Sequence, residues 1–442
     1  MNKISVSIFL SVLLTVLPGC DTINTDINSL LRPPQLTAEQ SEIHNALDSV
    51  VGSGRTIQLK YPKRGDYLSA FVMYDLDADG QDEALVFYED ANTEYGTRIN
   101  ILDNEGSGWH SVLDYPGNGS SVDQIRFVDV SGGEGCDILI GWEHTNQELR
   151  TVDLYHYYDH TLETLFSNTY SELVIANMDG KGYDDIVMLE ANASSRPVDA
   201  KLATLLDDGT VGTVGVEYRM NNAFTSYEQV VSGLTADGKT AVYADGWLDN
   251  TTLCTDVLYY SEDIGGLTSL LQYDMDDYTE RTIRSLRITT RDMEGDGILE
   301  IPMPEPLPGY ENHEAEDAMY IVNYSAVDSE GILRYTSAVI NLDAGYMVKF
   351  PVRWNDKVTV TKQEKSSEWF FWVYDGSLSQ MRDELLRIKV YSTRDYHDQF
   401  DTQTYRIIGT KGNFEYFAYI PEDSDPEFRI TYEQLEKMFS LL

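Results

Sequence analysis

Nine residues, Asp75 through Glu83, restrict what this chain can fold into more than any other stretch. They read Asp-Leu-Asp-Ala-Asp-Gly-Gln-Asp-Glu, and an apolar strand-like run stands on each side, residues 71–74 before and 84–87 after. Carboxylates at loop positions one, three, five and nine, with a glycine at six, form the arrangement that a hard, oxygen-seeking cation needs, and calcium is the expected ion.

Aligning the chain on this loop exposes a repeat. Loop starts fall at Asp75, Asp129, Asn177, Gly233 and Asp292, at intervals of 54, 48, 56 and 59 residues. Each loop has apolar runs before and after it, and two further β-like runs follow, as at 98–102 and 109–113 around Asn104-Glu105-Gly106. Four strands per unit make a propeller blade. An antiparallel blade cannot cover both of its faces, so blades stack and each buries its neighbour. The expected fold is therefore mainly β, a β-propeller of about five or more four-stranded blades, with a short N-terminal helix and a small C-terminal α+β module. Ring closure with five blades, or with more built from later residues and residues 56–61, is left open by the sequence.

Two of the five loops keep a full ligand set. The first offers Asp75, Asp77, Asp79, the Gln81 carbonyl and Glu83, with Gly80 at the sharp turn; the fifth offers Asp292, Glu294, Asp296, the Ile298 carbonyl and Glu300, with Gly297 at the turn. The middle three keep the spacing and lose the ligands. Ser131 and Gly133 replace two acids in the second, Lys181 puts an ammonium where a cation would sit in the third, and only Asp237 remains in the fourth. These three are expected to bind no calcium. An isolated acidic turn can be no more than a solvated Asx hairpin. Two complete matches in register within one repeat argue for metal.

The Asp-x-Asp-x-Asp-Gly-x-x-[Asp/Glu] loop between apolar strands, repeated at blade spacing over residues 56–341, resembles FG-GAP or VCBS-type repeats, as in the integrin α-subunit propeller. The resemblance implies calcium sites that brace the blades, and roles in adhesion and ligand binding. The Phe-Gly and Gly-Ala-Pro signatures of those repeats are absent. The whole layout, with Leu30-Leu31-Arg32-Pro33-Pro34 after the leader, looks like a group of bacterial lipoproteins.

The N-terminus supplies that leader. A basic start at residues 1–3, an apolar stretch at 4–17 and Leu17-Pro18-Gly19-Cys20 resemble a lipobox, which makes 1–20 a lipoprotein signal peptide and Cys20 the lipidated residue. Two or more acyl chains hold a protein stably on a membrane. Residues 21–36 read as a tether and 37–54 as a helix, with a Thr37/Gln40 capping box and a stripe of Ile43, Ala46, Leu47, Val50 and Val51. The propeller then occupies 55–345. Residues 346–442 form a C-terminal α+β module or additional blades, ending in a second capped helix (Thr431, Gln434) with a stripe of Leu435, Met438, Phe439 and Leu442. Cys136 and Cys254 are one possible disulfide pair, but they fall in different repeats, which favours two free thiols.

Charge narrows the partners. With 32 Lys and Arg against 74 Asp and Glu, the net charge of −42 repels phosphate backbones, so a nucleic-acid partner is not expected. Residues 233–240 match the phosphate-loop pattern Gly-x4-Gly-Lys-Thr, yet a strand follows where a helix is required, so no nucleotide is expected either. His156 and His160 stand on a strand-like run that separates them. No nucleophile motif appears, and acids are too numerous for any pair to stand out. The expected function is that of a membrane-anchored, extracytoplasmic, calcium-binding propeller lipoprotein that binds a protein or glycan. The alternative is a polysaccharide hydrolase or lyase on the same scaffold.

Overall fold

The computed structural model of the chain describes residues 36–442 apart from 53–55, 91–95, 105, 107, 192–197, 221–222, 272–280, 315–316, 329–330, 364–367, 380, 382 and 394–403. The leader, Cys20 and nearly all of the tether lie outside the described residues. Helix α1 (Ala38–Val51) begins at Thr37, whose hydroxyl accepts the Gln40 N–H while the Gln40 side chain accepts the Thr37 N–H, the reciprocal cap expected from the sequence.

Six antiparallel sheets follow one another along the chain. In the first, β1 (Ile57–Lys60) and β2 (Phe71–Tyr74) both pair with β3 (Glu83–Asp90), β2 opposite residues 83–86 and β1 opposite 87–90; β4 (Arg98–Asp103) and β5 (His110–Pro116) complete it. The innermost strand of this blade is thus split by an excursion over residues 61–70. The second sheet is a four-stranded meander of β6 (Ser121–Val128), β7 (Cys136–Glu143), β8 (Arg150–Tyr158) and β9 (Thr161–Tyr170). The third repeats it with β10 (Glu172–Ala176), β11 (Asp185–Leu189), β12 (Asp199–Leu205) and β13 (Val211–Arg219), and the fourth with β14 (Ser226–Leu234), β15 (Thr240–Trp247), β16 (Leu253–Ser261) and β17 (Gly266–Ser269). Residues 233–240 are therefore strand, turn and strand, and form no phosphate loop.

The fifth sheet runs β18 (Ile301–Pro306), β19 (Tyr320–Asp328), β20 (Gly331–Asn341) and β21 (Tyr346–Lys349). The sixth contains β22 (Val358–Gln363), β23 (Glu368–Val373), β24 (Glu384–Ser392), β25 (Arg406–Lys411) and β26 (Phe414–Tyr419), with β26 lying between β24 and β25. Helix α2 (Tyr432–Met438) and β27 (Phe439–Leu441) end the chain, and β27 pairs with β21.

Alternating residues give each strand two apolar faces, and successive sheets bury them against each other, as propeller blades do. Phe87, Ile99 and Ile101 of the first sheet meet Ile138, Ile140 and Trp142 of the second. Leu139 and Leu154 meet Ile186 and Met188. Val187 and Leu202 meet Val242 and Cys254, and Tyr243 and Val257 meet Ile301 and Met303. Val339 and Val348 then meet Val360, Phe371 and Leu386 of the sixth sheet. The free face of the first sheet is covered by α1, where Ile43 and Leu47 pack on Val86, Tyr88 and Leu102. Among the described residues no apolar cluster joins the first sheet to the sixth.

Three local expectations change. Val50 is not part of the buried stripe of α1; it is 49% exposed, while Ile43 and Leu47 are buried on the sheet and Ala46 and Val51 pack against them. Helix α2 stops at Met438 rather than carrying Phe439 and Leu442 on its stripe, since the Phe439 ring packs beside Tyr346 and Tyr416 when 439–441 joins the sheet edge. Residues 286–290, expected as a strand, form no ladder. Their backbone is satisfied by a fully buried ion pair instead: Arg284 Nε donates to the Ile288 carbonyl at 2.8 Å, Arg284 Nη2 to Asp245 Oδ1 at 2.7 Å, and the Thr290 N–H to Asp245 Oδ2 at 2.8 Å.

If α1 seals the first blade, Leu47→Ala should cost about 2–5 kcal/mol in a denaturant titration, while Val50→Ala should stay within about 0.5 kcal/mol. Equal effects at the two positions would show that the helix does not close that face.

Candidate functional site: the acidic loops

The first four acidic loops join two adjacent strands of a sheet, and the fifth, residues 292–300, is closed by an isolated Arg291–Glu300 bridge and leads into β18. Four of the five share one device. The position-nine carboxylate is buried and accepts the backbone N–H of position two: Leu76 N–H to Glu83 Oε2 at 2.6 Å, Val130 N–H to Asp137 Oδ2 at 3.0 Å, Met178 N–H to Asp185 Oδ2 at 2.7 Å and Met293 N–H to Glu300 Oε2 at 2.9 Å. The fourth loop has Ala241 at that place, and Thr235 closes the turn by accepting the Lys239 N–H. Position four is the other shared requirement. Ala78 (φ 63°), Gly132 (64°), Gly180 (74°) and Gly295 (80°) all adopt left-handed backbone, in addition to Gly80 and Gly297 at position six. The sequence reading caught the glycine at six and missed this one, because Ala78 hides the pattern in the best-preserved loop.

In the first loop one oxygen each from Asp75, Asp77 and Glu83 lie within 4.8 Å of one another. Asp75 Oδ2 accepts the Gly80 N–H at 3.1 Å, but Asp75 Oδ1 is buried with no hydrogen-bond partner. A buried anionic oxygen without a donor is costly, and a cation is what would satisfy it. Asp79 stands apart from this trio: its two oxygens accept the Gln81 N–H (2.8 Å) and the Gln81 amide (3.2 Å).

The fifth loop is arranged differently. Asp292 accepts four backbone N–H groups, from Glu294, Gly295, Asp296 and Gly297, and Asp296 accepts the Ile298 N–H at 3.0 Å. Glu294 is drawn outward, accepting the Thr336 hydroxyl at 2.7 Å, with Lys349 Nζ 3.7 Å away. Glu300 Oε1, like Asp75 Oδ1, is buried and unpartnered.

The ligand-poor loops carry protein donors on their acids. The His156 ring nitrogen lies 2.8 Å from Asp137 in the second, Lys181 Nζ 3.0 Å from Asp179 in the third, and Lys239 Nζ 2.7 Å from Asp237 in the fourth. The third loop also leaves Asn177 Oδ1 and Asp185 Oδ1 buried and unpartnered, so what sets it apart from the intact loops is the Lys181 ammonium and the loss of acids, not the absence of a bare oxygen.

Burial raises the position-nine acid in both intact loops and, in the third, Asp185 as well. Burial, reinforced by Asp77, Asp103 and Asp75, pushes Glu83 up to about 7 against the pull of the Leu76 N–H. Burial likewise pushes Glu300 up to about 7, with Glu294, Asp292 and Asp296 adding to it. Asp292 moves the other way, held down first by the Gly297 N–H.

A second feature opens beside the first loop. Where β2, β6 and β10 approach, a cleft of about 300 Å³ is lined by Asp66, Tyr67, Tyr74, Arg126, Phe127 and Asp184, among others. Tyr74 and Phe127 stack at 3.7 Å between ring centroids, and Tyr67 meets Phe127 edge-on at 5.2 Å. Cys136 and Cys254 are not joined in a disulfide.

No family model and no curated protein matches the chain. Among solved structures it is similar to TolB from Acinetobacter baumannii at 15% identity, over 63% of this chain and only 58% of TolB's own length, with a TM-score of 0.23. It is also similar to the Pseudomonas aeruginosa periplasmic gluconolactonase PpgL (11% identity, 76% of this chain and 92% of that one, TM-score 0.29). A third is the Penicillium chrysogenum α-L-arabinanase complexed with arabinobiose (12%, 84% and 99%, TM-score 0.27). A functional reading therefore rests on this chain's own residues.

The raised acids give a pH test. In chelator, Glu83 and Glu300 hold their protons up to about pH 7 when folded, against 4.5 as their ordinary value, so the folded state binds more protons across that window. Stability should then fall as pH rises from about 4.5 to 7. Asp292, shifted down, adds a stability that is constant above its ordinary 3.8 and is lost only as pH falls below it, so it does not tilt this window. The thermal midpoint should be higher near pH 5.5 than near 7.5, and Glu83→Gln with Glu300→Gln should flatten the slope; an unchanged slope would refute the assignment.

Proposed function

We propose that this protein is a membrane-anchored, extracytoplasmic β-propeller lipoprotein whose blades are braced by calcium and which acts as a binding or adhesion module for a protein or glycan. The observation that carries the metal part is the convergence of Asp75, Asp77 and Glu83 around a buried oxygen without a donor. Asp75, Asp77 and Glu83 would hold a calcium ion directly, with Asp79 and the Gln81 carbonyl completing the shell once Asp79 turns from Gln81. In the fifth loop, Asp292, Glu294, Asp296, the Ile298 carbonyl and Glu300 would do the same, with Glu294 first released from Thr336. Calcium supplies positive charge to a turn that now carries only negative charge. The ion's role is to fix the hairpin and, with it, the end of β2 that borders the cleft.

The location rests on the lipobox-like Leu17-Pro18-Gly19-Cys20, which would make Cys20 the anchor. No helix among the described residues is long and apolar enough to cross a membrane. Binding is preferred to catalysis because the acid that lines the cleft from the third loop, Asp184, is committed to structure: its Oδ2 accepts the Asp129 N–H at 3.0 Å. A polysaccharide hydrolase or lyase is the second reading, favoured by the presence of Asp66 and Asp184 beside aromatic rings.

Calorimetry with calcium should give about two sites, in the weak range of about 10⁻⁴ to 10⁻³ M common for extracellular modules. Asp77→Ala with Asp296→Ala should abolish both, and Asp77→Ala alone should remove one of the two; absence of heat and of any thermal shift would sink the calcium reading. Cys20→Ala should move the protein from the membrane to the soluble fraction. Product release from glycans during a binding screen would favour the enzyme reading.

A further inference from the structure

Arg126 is out of place in this chain. In a protein with 74 acidic side chains against 32 basic ones, its guanidinium forms no ion pair among the described residues. Its Nε donates to Gln124 Oε1 at 3.0 Å, and Gln124 is itself held, donating to Asp123 Oδ2 at 3.3 Å. Asp123 is fixed in turn by Arg64, through bonds of 2.8 and 2.7 Å. The guanidinium is therefore held through Nε, no hydrogen bond from its terminal nitrogens occurs among the described residues, and Arg126 lines the cleft.

The geometry points to this cleft as a binding site for a carboxylate-bearing sugar, a hexuronic acid unit, with Arg126 as the residue that selects the carboxylate. The proposal rests on the binding-module reading above and names the ligand class for it. A guanidinium presents two parallel N–H donors that match a carboxylate, which a lysine cannot do. Asp66 and Asp184 line the same cleft and are acceptors for sugar hydroxyls. They also argue against a phosphate, whose charge of about −1.5 to −2 exceeds what the single Arg126 can offset beside two carboxylates, whereas a uronate brings one negative charge. Tyr67 and Tyr74 also line the cleft, each an apolar ring with a hydroxyl at its edge, one face of Tyr74 being taken by Phe127. The volume, about 300 Å³, is at the lower end of small-ligand sites and fits one or two sugar units. The overall charge of −42 does not forbid an anionic ligand here. At physiological salt, charges beyond about 8 Å are largely screened, and the near field is set by Arg126 against Asp66 and Asp184.

The test is titration of the full chain, in calcium and at about 0.15 M salt, with galacturonate and glucuronate, beside galactose, glucose, glycine and inorganic phosphate. The uronates should bind at least about tenfold more tightly than the neutral hexoses, and Arg126→Gln should bring them down to the hexose level. Arg126→Lys, which keeps the charge and loses the fork, should also lose most of the preference, and it serves as the second variant if the first does not fold. The calcium heats should be the same in both variants. Equal binding of acidic and neutral sugars, no effect of either substitution, or Arg126-dependent binding of glycine or phosphate in place of uronate would each overturn the proposal. If neutral glycans bind and uronates do not, this inference fails while the binding-module reading stands; if the native chain shows neither calcium heat nor any glycan binding, the reading beneath it fails.

Discussion

A buried carboxylate that accepts a backbone N–H seven residues earlier is the contact on which the blades depend. In the first three blades it fixes the turn between the first two strands, and so their register; in the fifth it fixes the loop that leads into β18. A slip of one residue would turn every core side chain to the wrong face. Glu83, Asp137, Asp185 and Glu300 all do this, while the other acids of their loops come and go. The fold function and the metal function of the loop are therefore separable. The second and third loops keep the first without the ligand set for the second.

That separation explains how the chain tolerates losing ligands. Where acids are missing, a side chain from the protein comes to those that remain: His156 to Asp137, Lys181 to Asp179, Lys239 to Asp237. In the first loop no such donor arrives, and Asp75 Oδ1 stays bare. Neighbouring loops are also tied together. The Asp184 N–H donates to the Asp129 carbonyl at 2.7 Å, and the Leu234 N–H donates to the Gly297 carbonyl at 2.9 Å.

Much of this was legible in the sequence because the loop signature and the strand alternation have short periods that need no knowledge of distant partners. The strands, both capping boxes and the strand nature of the Gly233–Thr240 match follow from such local rules. What was not legible depends on contacts far apart in the chain. Residues 286–290 look like a strand until Arg284 and Asp245, 39 positions apart, take over their backbone groups. Phe439 looks like a helix position until Tyr346 offers it a neighbour. The position-four requirement was masked by a single alanine. The Arg126 cleft could not be seen at all, since it draws on the 61–70 excursion and on three separate blades.

The helical lid on the first sheet has a thermodynamic corollary. A wheel whose last spoke locks against its first unravels as a unit, whereas a row of plates with two finished ends behaves as a linear array. Cohesion then resides in nearest-neighbour interfaces. Here the row is terminated by α1 at one end, and the sixth sheet with α2 stands at the other. Damage to the C-terminal plate should therefore stay local, leaving the middle plates and the crevice between the first three intact, whereas damage to the first plate would reach the crevice directly.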